Sequence, residues 1–101
     1  MAINILIVDD SAVMRAMILK TLRMSGLALG EVVQAADGRQ GLEALSAHWM
    51  DLVLLDINMP VMNGEQMIER MRADPDLKDT PVVVVSTEGS QARIERPAGV
   101  I

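Results

Sequence analysis

Ile3-Asn4-Ile5-Leu6-Ile7-Val8-Asp9-Asp10-Ser11 opens the chain with a short run that is almost wholly apolar and closes it with two acids and a hydroxyl. An apolar run of this length without strict alternation reads as a strand, Ile3–Val8, buried on both faces, which is the environment inside a parallel sheet. Ser11 then stands where a helix N-cap belongs. Met14, Met17, Ile18 and Leu22 follow at helical spacing, so Ser11–Met24 is expected to be the first helix, with those four side chains turned inward.

Three further apolar runs repeat the pattern at Glu31–Ala35, Asp51–Leu55 and Pro81–Val85. Between them, Asp37 can cap a second helix with Gln40 in capping-box position, and Leu42, Leu45 and Trp49 define its inward face. After a turn at Gly64, Met67, Ile68 and Met71 mark a third helix, which should end before the turn-forming Asp74-Pro75-Asp76. Ser90–Arg96 reads as the start of a fourth helix, halted by Pro97, with Arg93 and Arg96 as its exposed charges. Alternation of strand and helix in 101 residues calls for right-handed crossovers and a doubly wound α/β sheet. With no repeat or linker-like tract, residues 1–101 are expected to form a single domain.

Composition narrows the function. Fourteen acids against nine bases give a net charge of −5, which repels a phosphate backbone, so direct nucleic-acid binding is not expected. Trp49 is the sole aromatic residue and offers no set of rings on which bases could stack. Cysteine is absent, which removes disulfides and thiolate metal sites. No run is long enough for a membrane span and the first residues lack a basic signal-peptide start, so a soluble, cytoplasmic protein without membrane contact is expected. The nine methionines, including Met14, Met17 and Met24 on the first helix, read as packing, and His48 reads as a surface residue near the end of the second helix.

In open parallel sheets the ligand site lies beyond the carboxyl ends of the strands. Asp9 and Asp10 follow the first strand, Asp56 the third, and Ser86 and Thr87 the fourth. Each alone is an ordinary turn residue. Together they fall at one edge of one expected sheet. Clustered carboxylates repel one another unless a cation stands among them, and an all-oxygen donor set selects a hard ion, here magnesium. The ion could neutralise a phosphoryl group arriving at Asp56, whose carboxylate would be the nucleophile, with Ser86 donating a hydrogen bond to the transferred group.

The stretches I-L-I-V-D-D-S (5–11), L-V-L-L-D-I-N-M-P-V-M-N-G (52–64) and P-V-V-V-V-S-T (81–87) resemble, in order and spacing, the response-regulator receiver family. The resemblance covers about the first nine-tenths of the chain. It implies a flavodoxin-like fold, Asp56 as the phosphoacceptor, Asp9 and Asp10 as magnesium ligands, Asn58 contributing its backbone carbonyl to the ion, and Ser86 as the switch hydroxyl. It also implies a histidine kinase or phosphotransfer protein as partner, and a signalling switch that modifies itself in place of a turnover enzyme. A dehalogenase-type phosphatase would need a second aspartate where Asn58 stands.

The family continues through the fourth helix into a fifth strand ending in Lys-Pro and then a fifth helix, whereas no lysine follows Lys78 here. The chain is therefore expected to be a C-terminally truncated receiver domain lacking both elements. Val82–Val85 would be an open edge, part of one sheet face and of the first helix would be uncovered, and a homodimer through that edge would bury them. The alternative to a switch is a switch-incompetent fragment serving as an interaction or oligomerisation module.

Overall fold

The structure is a computed structural model that describes residues 2–56 and 62–85 in full and residues 92–95 by their backbone. Its elements run β1 (Ile3–Val8), α1 (Ala12–Met24), β2 (Leu29–Ala35), α2 (Gly38–Ala47), β3 (Leu52–Leu55), α3 (Gly64–Ala73), β4 (Val82–Val85) and β5 (Ala92–Glu95). The sheet order is β2-β1-β3-β4-β5. The first four strands are parallel, and the fold is the flavodoxin-like α/β sheet that the sequence implies.

Side-chain caps fix where the helices begin. Ser11 accepts a hydrogen bond from the Met14 amide at 3.2 Å, and Asp37 accepts one from the Gln40 amide at 2.8 Å. Gln40 does not close the expected box, because its Oε1 accepts from the Ala36 amide, one residue before the cap. The reciprocal capping box is at α3 instead. Asn63 accepts from the Gln66 amide at 2.9 Å and Gln66 accepts from the Asn63 amide at 3.0 Å, so this helix start is held from both sides. Gly26, at φ +85°, ends α1 in a left-handed turn that a glycine takes without strain.

The principal core lies on one sheet face. Leu6 and Val8 of β1, Val53 and Leu55 of β3, and Val82 and Val84 of β4 pack there with Leu45 of α2 and Met67 and Met71 of α3. Alternation puts Ile5 and Ile7 on the opposite face, and both are fully buried. Farther across that face, Leu52, Leu54, Val83 and Val85 are only half-buried. Only α1 among the described helices lies over it, and α1 contacts β1 and β2.

No residue of α1 is buried. Met14, Ile18 and Leu22 are half-buried as the inward face, but Met17 and Met24 are 57% and 76% exposed, against their expected packing role. An uncovered sheet face and a partly uncovered first helix are thus both present among the described residues. Trp49 is also corrected, being 76% exposed. Helix α2 stops at Ala47 with His48 in extended backbone as its C-cap, so the periodicity that would have turned Trp49 inward has already ended.

The region after β4 differs most from expectation. Residues 92–95, read from sequence within a fourth helix, form a strand antiparallel to β4, with Val82 opposite Glu95 and Val85 opposite Ala92. Seven residues between Gly89 and Pro97 are short for a helix to nucleate, whereas β4 offers a row of backbone groups to pair. Val82–Val85 is therefore not an open edge. No fifth parallel strand and no fifth helix occur among the described residues.

At the amino end of the sheet, Asn4 joins three segments across a register irregularity in β1. Its Oδ1 accepts from the Glu31 amide at 2.8 Å, its Nδ2 donates to the Trp49 carbonyl at 3.1 Å, and its own amide donates to Asp51 Oδ2 at 2.8 Å. Gly30 leaves room for this side chain, because a Cβ there would collide with Asn4 Oδ1. On α2, the Gly38 amide donates to the Met62 carbonyl at 3.0 Å, and a Cβ at Gly38 would lie 2.8 Å from that oxygen. Asn4→Ala is expected to lower stability in urea titration by about 0.5–1.5 kcal/mol, since it removes the side-chain partners of the exposed Glu31 amide and Trp49 carbonyl. Gly38→Ala should lower it by about 1–3 kcal/mol through forced separation of α2 from Met62.

Candidate metal and phosphoacceptor site

The site follows from the pairing of β1 with β3. Val8 stands opposite Leu55, so the next residue on each strand is an acid, Asp9 beside Asp56. Both remain tied to neighbouring strands by their backbones: the Asp9 amide donates to Ala35 O at 3.0 Å and the Asp56 amide donates to Val8 O at 2.9 Å. The two carboxylates therefore extend from rigid positions, and each residue is only 3% exposed. Asp10, one step further, is exposed. Ligand oxygens of Asp9, Asp10 and Asp56 all lie within 4.8 Å of one another.

Burial is the largest influence on Asp9 and pushes its pKa above the ordinary carboxylate value, and the neighbouring charge and side-chain hydrogen bond of Asp10 push the same way. The Ser11 amide, which donates to Asp9 Oδ1 at 2.8 Å, and the positive charge of Arg15 pull it down. Upward forces prevail. A buried Asp9 whose charge is disfavoured beside another carboxylate has the electrostatic character of a cation ligand, because an ion among the oxygens offsets both the repulsion and the cost of burial. Three carboxylates, with no nitrogen or sulfur donor in the group among the described residues, fit magnesium, which keeps several waters and leaves positions for a phosphate oxygen.

Asp9, Asp10 and Asp56 are thus brought together as expected from their strand-end positions. Asn58 and Ser86, like Thr87, lie outside the described residues; Ser86 follows directly on β4, which is paired with β3. Arg93 is on β5 and not on a helix. His48 stays away from the acids, with Nδ1 2.6 Å from Glu31 Oε1 at the C-terminal end of α2.

Sequence reasoning missed Arg15. Its Nη1 donates to the Asp9 carbonyl at 2.7 Å and its Nε donates to Gln34 Oε1 at 3.1 Å, tying α1 and β2 to the acid loop. The available signal was a single cation early in an otherwise apolar helix, shortly after the paired acids.

Comparison with known proteins agrees with this geometry. The sequence profile of the response regulator receiver domain matches residues 5–98. Chemotaxis protein CheY1 of Helicobacter pylori strain J99 is 39% identical over 92 residues, spanning 90% of this chain and 73% of that protein. Among solved structures, the chemotaxis response regulator CheY4 of Vibrio cholerae superposes with a TM-score of 0.77 at 37% identity, covering 89% of this chain and 72% of the other. The phosphorylated cyanobacterial phytochrome response regulator RcpA superposes with a TM-score of 0.76 at 32% identity, covering 88% and 68%. With a profile match over residues 5–98 and close superposition on solved response regulators, the chain belongs to the response regulator receiver domain family.

Proposed function

We propose that this domain accepts a phosphoryl group on Asp56 with magnesium held by Asp9, Asp10 and Asp56, and that it does so as the receiving half of a two-component signalling pair. The observation that carries the proposal is the approach of three carboxylates within 4.8 Å at the ends of two adjacent strands. The phosphorylated state named for the similar RcpA structure supports it. Bound magnesium would supply charge neutralisation for the phosphoryl oxygens.

Asp56 would attack phosphorus through one carboxylate oxygen, forming an acyl phosphate as the bond from phosphorus to the donor's leaving group breaks. Asp9 would stay ionised to hold the ion, steadied by the Ser11 amide. Asn58 through its backbone carbonyl and Ser86 through its hydroxyl complete the proposed set, by their place in the motif. The donor would be a histidine kinase or phosphotransfer protein, for which exposed Val13 and Met17 on α1 offer an apolar seat beside Asp10. The chain would carry the phosphoryl group on itself, with at most weak autodephosphorylation, so it would be a switch more than an enzyme. A cytoplasmic location belongs to the same proposal and rests on the similarity to chemotaxis proteins. Among the described residues no helix is long and apolar enough to cross a membrane.

One observation favours a second reading, a module that holds the acid cluster but does not switch. β5 lies antiparallel beside β4, where the family resemblance implies a parallel strand carrying the phosphoryl-binding lysine. The half-buried face of Leu52, Leu54, Val83 and Val85, and not the paired Val82–Val85 edge, would then serve self-association. Light scattering should show mass rising with concentration under that reading, and a concentration-independent monomer would remove it.

Acetyl phosphate with magnesium should label the chain once, and mass spectrometry should find the label on Asp56. Chelation of the metal or Asp56→Asn should abolish it, and equal labelling of Asp56→Asn would remove Asp56 from the mechanism. The raised pKa of Asp9 has two consequences. Magnesium must compete with a proton held more tightly than on a solvent-exposed aspartate, so metal affinity should fall with decreasing pH sooner than for such a group.

Without metal, folded Asp9 binds its proton more tightly than unfolded Asp9. Its contribution to stability is complete below the unfolded value of 3.8 and is lost as pH rises through the raised folded value. At neutral pH, Asp9→Asn should therefore raise the metal-free Tm while abolishing stabilisation by magnesium. Calorimetry with and without the ion reads both effects.

A further inference from the structure

We propose that Arg15 is a positioning residue for the metal site, acting through the peptide that joins Asp9 to Asp10. The inference rests on the magnesium reading above and extends it to a residue that has no carboxylate to offer. Asp9 is fixed at its amide by Ala35 O and at its carboxylate by the Ser11 amide. Its carbonyl is fixed by Arg15 Nη1 at 2.7 Å. That carbonyl belongs to the peptide plane whose other end is the Asp10 amide, so its orientation sets the direction from which Asp10 leaves the chain. Asp10 is exposed. With little packing to hold it, its distance from Asp9 and Asp56 depends on the tilt of that plane.

The guanidinium can hold the plane because it is itself held. Its Nε donates to Gln34 Oε1 at 3.1 Å, and its stem rises from the first turns of α1, where the Arg15 amide donates to the Ser11 carbonyl at 3.0 Å. Arg15 therefore connects α1, β2 and the β1–α1 loop in one planar fork, a geometry that lysine cannot reproduce. Residues that orient metal ligands without touching the ion typically contribute about 10-fold or more to metal affinity.

Arg15 also carries a positive charge, and the two roles predict opposite signs. If it acted chiefly through its field, removing it would leave the acids more negative and magnesium would bind more tightly. If it acts by positioning, removing it lets Asp10 wander and magnesium binds less tightly.

Isothermal titration with magnesium chloride at fixed ionic strength separates them, using Arg15→Met, which keeps the apolar stem, Arg15→Lys, which keeps the charge, and Gln34→Met, which removes only the lateral anchor. Arg15→Met should weaken binding about 10-fold. Arg15→Lys should fall between it and the unsubstituted chain, and Gln34→Met should weaken binding by a smaller factor although the charge is intact. Unchanged or tighter binding in Arg15→Met overturns the proposal, as does full affinity in Gln34→Met together with full loss in Arg15→Lys. Thermal denaturation of the same samples shows whether each variant folds, and if Arg15→Met does not, the Lys and Gln34 variants decide. Absence of magnesium binding by the unsubstituted chain would instead overturn the metal assignment itself, and this proposal with it.

Discussion

The parallel pairing of β1 with β3 is the constraint on which the rest depends. It joins residues far apart in sequence, Val8 with Leu55, and both strands are buried between neighbours on either side. A slip of one residue would turn Leu6, Val8, Val53 and Leu55 out of the principal core, so the hydrophobic pattern holds the register firmly. The same register makes Asp9 and Asp56 the first residues past the apolar run on each strand. Core packing and site geometry are therefore one specification: apolar side chains set the alignment and the acids inherit it.

What the core supplies, the acids partly oppose. Burial works against the charge of Asp9, and the nearby carboxylate of Asp10 adds to that cost. The surrounding donors temper this. The Ser11 amide stabilises the Asp9 charge, while strand hydrogen bonds to Ala35 and Val8 keep both backbones from relaxing away.

Most of this frame could be read in the sequence because it is carried by local signals. Apolar runs gave the four parallel strands, Ser11 and Asp37 gave two helix starts, and the strand-end positions of Asp9, Asp10 and Asp56 gave the cluster. The misreadings share a cause, namely a tertiary partner that local pattern does not reveal. Residues 92–95 have a pattern compatible with helix, and only the unpaired side of β4 makes them a strand. Trp49 fits a helical face that ends two residues earlier, and Met17 fits one that no described element covers. The Arg15 clamp depends on the side chain of Gln34, which a strand pattern alone marks only as solvent-facing.

Trp49 has a practical bearing on how this protein can be observed. Its indole nitrogen donates to Asp51 Oδ1 at 3.2 Å, and Asp51 Oδ2 in turn accepts from the Asn4 amide. Asp51 precedes β3 and Asp56 follows it, so the indole sits on the order of 15 Å from the acids, the length of a short strand. As the chain has no tyrosine or phenylalanine, all of its intrinsic fluorescence and near-ultraviolet dichroism originates in this one ring. Such spectra report the integrity of the amino end of the sheet and are optically blind to the other end, where a label placed on α1 would be needed to see an ion arrive.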